Sequence, residues 1–130
     1  MKKSADSWSP LLLSLLRIIA AFLFVAHGTS KIFDFPPAPM PHPLVLHSMG
    51  GFSAILELVG GILLLLGLFT RFTAFILSGE MAVAYFMVHA SHGFFPLVNK
   101  GELAVLYCFV FLYLAAAGGG PVSLDRLRKG

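Results

Sequence analysis

The sequence predicts an all-α membrane protein, folded as a four-transmembrane-helix bundle with both termini in the cytoplasm (N-in/C-in). The first observation is composition: apolar residues make up 58 % and charged residues 12 % of the chain, against about 45–50 % and 25 % in soluble domains. The second is that the apolar residues form four long blocks and not amphipathic stripes. The third is that the lysines and arginines, apart from Arg17, lie at or beyond the ends of these blocks. A chain of 130 residues is expected to form one domain, residues 1–130.

The four apolar blocks are each predicted to form a membrane helix, and they cover residues 11–28, 52–69, 72–88 and 102–117. Pro10 suits the first turn of the first helix, and Ser9 is placed to cap it. Blocks of about 16–18 residues approach the lower limit for crossing roughly 30 Å of hydrocarbon at 1.5 Å per residue. The polar helix ends are therefore expected to lie at the membrane interface.

The loops and flanking charges predict how these helices are oriented. Five prolines between residues 36 and 43 exclude a helix in the first loop and favour an extended path. A cytoplasmic N-terminus puts six basic residues inside and only Lys31 and Lys100 outside, which follows the positive-inside rule. The six inside residues are Lys2, Lys3, Arg71, Arg126, Arg128 and Lys129. The first apolar run lacks a small-residue cleavage site, so it is predicted to be retained as a helix.

Three ionisable side chains fall inside the predicted membrane helices. Arg17 lies about 10 Å from the inner end of the first helix, where an unpaired guanidinium is costly. Glu57 and Glu80 lie inside the second and third helices, where each carboxyl group must be neutral or paired. We expect Arg17 to point inward between these two groups, one of which holds a proton. Such a cluster is either a salt bridge that fixes helix packing or a proton-carrying or substrate-polarising site.

A second group of polar residues is predicted on the outer side of the membrane. His27 and Lys31 are four residues apart and share a face if the first helix continues past Gly28. His89 and His92 lie at the outer exit of the third helix, so these four side chains are expected to form a polar mouth. The candidate ligand-binding residues are Arg17, Glu57, Glu80, His27, Lys31, His89, His92 and Glu102.

Several functional classes lack their sequence signatures. The five histidines, with His42 and His47 in the proline-rich loop, form no HExxH motif or Cys/His cluster, so no metal site is predicted. The lone cysteine, Cys108, cannot form an intrachain disulfide or a CxxC redox pair. No Walker loop, dinucleotide fingerprint or nucleophile elbow is present, so no catalytic residue can be named. The net charge of +3 is not gathered into a basic patch, so no nucleic-acid partner is predicted.

Several short segments, in their order and spacing, carry a resemblance to a known family. They are Leu16-Arg17, Ala26-His27-Gly28, Lys31, Leu56–Gly61, Gly67–Arg71, Glu80-Met81, Ala84–Phe86, His89, His92–Pro96 and Asn99–Glu102. The chain resembles the DoxX family of small four-helix bacterial membrane proteins over nearly its whole length. The resemblance implies a multi-pass protein of the bacterial cytoplasmic (inner) membrane, in contact with the lipid bilayer.

The family resemblance also implies a redox theme. Some members are described as the membrane subunit of a thiosulfate:quinone oxidoreductase, and others as partners in thiol or oxidative-stress systems. The expected function is a redox-associated, quinone-linked subunit, non-catalytic or quinone-interacting, with quinone as candidate cofactor. Its expected partners are a protein of a membrane redox complex and a second copy of the chain. Two alternatives stay open: a small-solute transporter or channel that works as an oligomer, and a structural or assembly subunit without its own chemistry.

Overall fold

The computed structural model describes residues 2–37 and 49–129, and the regular elements of this part of the chain are all helices. They are α1 (Lys2–Phe33), α2 (Met49–Leu66), α3 (Thr70–Ala84), α4 (Pro96–Asn99), α5 (Glu102–Ala117) and α6 (Leu124–Lys129). A π-helical turn at Tyr85–His89 and a 3-10 turn at Ala90–His92 continue α3. The all-α class is therefore confirmed for the described residues. His42, His47 and the prolines at 39, 41 and 43 lie outside them.

α1 is longer than predicted at both ends. The predicted start at residue 11 treated Pro10 as a first-turn residue, but Pro10 lies inside the helix. A proline in a helix interior removes one backbone hydrogen bond; residues 5–10 are exposed, so water can satisfy the carbonyl that loses its donor. At the other end α1 continues past Gly28. The extension places His27 and Lys31 on one helix, one turn apart.

A left-handed turn separates α2 from α3. α2 ends at Leu66, before the predicted end at residue 69, because Gly67 and Phe69 have positive φ angles of 72° and 52°. A backbone in this conformation cannot continue a right-handed helix. α3 then begins at Thr70, ahead of its predicted start. α5 has the same bounds as the fourth predicted helix.

The long helices pack in two pairs. α1 packs mainly against α2, α3 packs mainly against α5, and contacts between α2 and α3 join the pairs. Gly28 allows the close approach of α1 to α2, because a Cβ there would lie 2.9 Å from the backbone nitrogen of Leu58. Phe24 lies in the core, with the rings of Tyr107 and Phe111 edge-on at 5.1 and 4.9 Å. The core therefore joins α1 to α5 through aromatic contacts.

The outer surface of the helices is strongly apolar, unlike that of a soluble protein. Large exposed side chains occur on each long helix and include Phe22, Phe52, Phe72, Phe75 and Phe109. Such exposure is unfavourable in water, at about 25 cal/mol per Å² of apolar area, whereas hydrocarbon accepts it. Within residues 2–37 and 49–129, two helical stretches are long and apolar enough to cross a membrane, and two shorter helices are also apolar. The long stretches are Ala5–Phe33 and Thr70–His92, and the shorter ones are Gly51–Leu66 and Glu102–Ala117.

α6 caps the beginning of α3. The Asp125 carboxylate accepts hydrogen bonds from the backbone N–H groups of Phe69 and Thr70, both at 2.8 Å. These amides belong to the group that a helix N-terminus leaves without intrahelical partners. A negative charge there also complements the helix dipole. The Asp125 side chain is thus one of the contacts that attach the basic C-terminal segment to the helical bundle, together with the bond from the Asp125 backbone N–H to the Gly67 oxygen at 2.9 Å.

We expect the Asp125 cap to make stability depend on pH. Burial alone would raise the pKa of Asp125, but hydrogen bonds from Thr70 and Phe69 and the charge of Arg128 lower this pKa overall. A group with a lowered folded-state pKa contributes stability above its unfolded pKa of about 3.9 and loses that contribution as the pH falls through the lowered value. Asp125→Asn should therefore reduce the unfolding free energy at neutral pH by about 1 kcal/mol. Thermal unfolding followed by circular dichroism, from about pH 7 to about pH 3, measures this change.

The matched control for this cap is Asp6→Asn, which changes an exposed acidic residue on α1. It should leave the melting temperature and its pH dependence as in the wild type. In Asp125→Asn, the part of the acid-induced decrease that comes from this carboxylate should disappear. A pH profile identical to that of the wild type would contradict the assignment.

Candidate functional site

Four polar side chains link α1, α2 and α3 inside the bundle. Lys31 Nζ lies 2.9 Å from Glu57 Oε2 and forms a salt bridge with it. Ser53 Oγ lies 3.0 Å from the same oxygen and 2.6 Å from Glu80 Oε2. The Glu57 side chain is 3 % exposed and that of Lys31 is 25 % exposed. We call Lys31, Ser53, Glu57 and Glu80 the carboxylate cluster.

The Ser53 hydroxyl lies between two carboxyl groups but carries only one hydrogen. It can donate that hydrogen to Glu57 or to Glu80, but not to both. A proton on Glu80 would satisfy the second contact, because Glu80 would donate to Ser53 while Ser53 donates to Glu57. The same proton would balance the charge, since one lysine faces two carboxyl groups. The geometry therefore accommodates one proton on this pair.

Arg17 does not lie between the two carboxyl groups, which corrects the expectation from sequence. Its guanidinium donates to the backbone carbonyl of Gly119, to that of Val122 at 2.7 Å and to that of Leu65 at 3.5 Å. Arg17 is 1 % exposed, so its predicted burial is correct. Arg17 and Lys31 are separated on α1 by about 21 Å, at 1.5 Å per residue. The cation that contacts the Glu57 carboxylate is Lys31.

A glycine-rich turn explains why Arg17 binds at this end of the bundle. Gly118 and Gly120 follow α5 with positive φ angles of 85° and 81°, and the end of a helix leaves carbonyl groups without donors. A Cβ on Gly67 would lie 2.9 Å from Arg17 Cζ, and one on Gly119 would lie 3.2 Å from Arg17 Nη1. These glycines therefore leave the space that the guanidinium occupies, and the turn supplies its acceptors.

A cavity of about 260 Å³ lies between α1 and α5, and we call it the α1/α5 cavity. Its surface is almost entirely apolar, although three of its lining residues, His27, Ser30 and Tyr107, have polar side chains. Ser30 is 1 % and Tyr107 5 % exposed, and neither hydroxyl has a hydrogen-bond partner among the described residues. Each such buried hydroxyl costs about 1–3 kcal/mol, which a suitable acceptor would recover. The apolar lining consists of Leu23, Ala26, Pro36 and Leu103.

His27 is held at the edge of the α1/α5 cavity by two contacts. Its Nδ1 lies 3.0 Å from the backbone oxygen of Leu23, one turn earlier on α1. Its ring lies edge-on to that of Tyr107, with 5.9 Å between centroids. Because Nδ1 is used within the helix, Nε2 is the ring nitrogen available to a ligand.

The other predicted outer residues have different neighbours. His89 Nδ1 lies 3.1 Å from the backbone oxygen of Asn99, and its ring stacks on that of Tyr85. Asn99 Nδ2 also donates to the Tyr85 hydroxyl at 2.9 Å. His89 thus takes part in the local packing of the segment after α3, while His92 and Glu102 are exposed. Of the four residues of the predicted polar mouth, His27 lines the α1/α5 cavity and Lys31 belongs to the carboxylate cluster. His89 and His92 belong to neither.

Sequence reasoning missed three hydroxyl groups: Ser30, Ser53 and Tyr107. Ser53 lies one helical turn before Glu57, and this spacing on α2 was a usable signal. Ser30 lay beyond the predicted end of the first helix, so it was not assigned to a helix face. Tyr107 gave only a weak signal, as a tyrosine of the fourth apolar block that could reach the bundle interior, because its position beside α1 depends on how two helices distant in sequence pack.

Comparison with known proteins identifies the family of this chain. The sequence profile of DoxX matches residues 12–90, more than half of the chain. This chain belongs to the DoxX family. The DoxX match contains the whole carboxylate cluster together with His27 and Ser30, whereas Tyr107 and the glycine-rich turn follow it.

Three relatives of this DoxX protein extend over most of its length. A Haemophilus influenzae protein described as uncharacterized is 45 % identical over 130 residues, 93 % of each chain. A second protein of that organism, also described as uncharacterized, is 32 % identical over 90 % of this chain and 83 % of its own. The Escherichia coli inner membrane protein YqjF is 31 % identical over 85 % of this chain and 87 % of its own. No solved structure matches this chain significantly.

Proposed function

We propose that this DoxX protein is a multi-pass protein of the bacterial inner membrane, with four spans and both termini in the cytoplasm. The E. coli relative is described as an inner membrane protein. Large apolar side chains cover the outside of the described helices, two of which are long enough to cross a membrane. Arg71, Arg126 and Arg128 lie together at one end of the bundle, which agrees with a cytoplasmic location for that end.

We further propose that it is the quinone-binding membrane subunit of a redox system, with the quinone head group in the α1/α5 cavity. The proposal rests on Ser30 and Tyr107, two lining residues of one cavity whose buried hydroxyl groups lack partners among the described residues. A small rotation of each side chain would turn its hydroxyl group into the cavity. A quinone head group has two carbonyl oxygens that accept hydrogen bonds. Its ring and tail suit apolar walls such as those formed by Leu23 and Leu103.

The carboxylate cluster provides the proposed site with a group that can exchange protons. Reduction of a quinone to a quinol takes up two electrons and two protons. Ser30, one of the lining residues of the α1/α5 cavity, directly precedes Lys31 of the carboxylate cluster on α1. Glu57 Oε1 and Glu80 Oε1 are buried with no hydrogen-bond partner among the described residues. We assign proton exchange to this cluster and the supply of electrons to a partner oxidoreductase.

Quinone binding is the direct test of this function. Protein purified in a mild detergent should bind decylubiquinone in equilibrium dialysis. Ser30→Ala and Tyr107→Phe should each weaken this binding about five- to tenfold, because each removes one hydrogen bond of about 1–1.5 kcal/mol. Both variants should keep the helical content of the wild type, since neither hydroxyl bonds to another described residue.

The control for Tyr107→Phe is Tyr113→Phe, which removes the hydroxyl of an exposed tyrosine on the same helix. Its affinity for decylubiquinone should equal that of the wild type. The proposal would be rejected if the folded wild type bound no decylubiquinone. It would also be rejected if Ser30→Ala and Tyr107→Phe bound the quinone as tightly as Tyr113→Phe.

A structural role is the better assignment for Arg17. Its guanidinium is buried and directed to backbone carbonyls of Gly119 and Val122, away from both the cavity and the carboxylate cluster. A guanidinium bound in this way joins α1 to the turn after α5. We therefore propose Arg17 as a residue that holds the bundle together and not as part of the ligand site.

A further inference from the structure

A second cavity, of about 520 Å³, lies at the Arg17 end of the bundle, where the α2–α3 turn, the end of α5 and α6 meet. Three of its lining residues are arginines, namely Arg71, Arg126 and Arg128, and its one acidic lining residue is Asp125. The lining therefore carries an excess of two positive charges. We call this the arginine cavity.

The one acidic side chain of the arginine cavity is already used within the protein. Both Asp125 oxygens accept hydrogen bonds from backbone N–H groups at the start of α3. Arg128 Nη1 lies 3.8 Å from Asp125 Oδ1, which is a long contact for an ion pair. The Arg126 guanidinium has no partner among the described residues. Asp125 thus leaves most of the positive charge available to an external anion.

Arg71 and Arg128 are held at the cavity by contacts that leave donors free. Arg71 donates to the backbone oxygens of Ala116 and Ala117, at the end of α5. The Arg128 guanidinium lies over the Phe69 ring, 4.7 Å from its centroid. A guanidinium has five N–H donors, so both side chains are positioned and still able to bind an anion. Arginine binds phosphate oxygens well because its planar group can donate two parallel hydrogen bonds.

The surroundings of the cavity favour an anion with an apolar tail over a free ion. Phe72, beside Arg71 in sequence, also lines the cavity and is 72 % exposed. Phe69 lines the same cavity and is exposed as well. We propose that the arginine cavity binds the phosphate group of an anionic phospholipid of the inner leaflet, with the acyl chains along Phe69 and Phe72. This inference uses the proposed membrane location and is independent of the quinone proposal.

Native mass spectrometry of the detergent-purified full chain tests the site. Phosphatidylglycerol should bind about tenfold more tightly than phosphatidylcholine. The double variant Arg126→Gln/Arg128→Gln should bind phosphatidylglycerol about tenfold more weakly than the wild type. Its affinity for phosphatidylcholine should fall less, because the choline cation offsets the charge of the same phosphate group. Both side chains are exposed, so the variant should keep the circular dichroism spectrum of the wild type. If it does not fold, the single variant Arg126→Gln should show about a threefold loss.

The matched control is Lys2→Gln/Lys3→Gln, which removes two positive charges from the other predicted cytoplasmic segment. It should retain wild-type affinity for phosphatidylglycerol. An equal loss in the control would overturn the proposal, because the attraction would then come from overall charge. A parallel titration with inorganic phosphate separates the two sources of the anion. Tight binding of phosphate without preference for phosphatidylglycerol would also overturn the lipid assignment.

Discussion

Replacing Arg17 by methionine is expected to lower the unfolding free energy by roughly 3 kcal/mol, because two or more buried carbonyls would lose their donor at about 1–3 kcal/mol each. The guanidinium binds the carbonyl oxygens of Gly119 and Val122 and, at longer range, that of Leu65. Methionine fills part of the same volume but cannot donate a hydrogen bond. Equilibrium unfolding in mixed micelles of dodecyl maltoside and sodium dodecyl sulfate measures the loss.

Two further variants separate the role of the Arg17 hydrogen bonds from that of its volume and charge. Arg17→Lys keeps a positive charge but has one compact donor group, so its loss of stability should be intermediate. Leu16→Met changes the neighbouring exposed residue and should stay within about 0.5 kcal/mol of the wild type. If Arg17→Met were as stable as Leu16→Met, the guanidinium would not be holding the bundle together.

The sequence predicts the helical elements well where they depend on apolar blocks and poorly where they depend on backbone conformation. α5 has its predicted bounds because a glycine-rich turn ends its apolar block. Other boundaries were displaced, at both ends of α1 and α2 and at the start of α3. α1 continues through Pro10, which is tolerated because the surrounding residues are exposed, and Phe69 adopts a left-handed conformation that its side chain does not predict. Neither conformation can be deduced from residue type alone.

The sequence predicted the two carboxyl groups of the candidate site, but it did not predict which cation pairs with them or which hydroxyl groups lie nearby. Glu57 and Glu80 were predicted to lie together, and the Ser53 hydroxyl does bridge them. Arg17 was chosen as their cation because an unpaired guanidinium inside the membrane is costly. Its position about 21 Å from Lys31 along α1 favours different partners for the two residues. Lys31 and Glu57 both lie towards the outer ends of their helices, whereas Arg17 lies towards the inner end of its helix. Comparing the distance of each residue from the outer interface would therefore have paired Lys31 with Glu57.

The Lys31–Glu57 salt bridge gives the second large expected effect. Lys31→Met would leave the buried Glu57 carboxylate without its cation and should lower the unfolding free energy by about 2–3 kcal/mol. Adding Glu57→Gln to this variant should recover most of that loss, because no charge then remains unpaired at this position. The double-mutant cycle should give an interaction energy of about 1–3 kcal/mol. The same micelle unfolding assay measures all four proteins, and simply additive losses would contradict a direct ion pair.

Glu80→Gln tests where the proton of the carboxylate cluster resides. A glutamine amide can donate to Ser53 Oγ as a protonated Glu80 would, so this variant should stay within about 0.5 kcal/mol of the wild type. Glu57→Gln alone should cost about 1 kcal/mol, since it removes the partner of Lys31, which water can reach. The exposed Lys100→Met serves as the control for charge removal and should have little effect. If Glu80→Gln were more destabilising than Glu57→Gln, Glu80 would be the ionised member of the pair. The proton would then lie on Glu57, and Lys31 would bind a neutral carboxyl group.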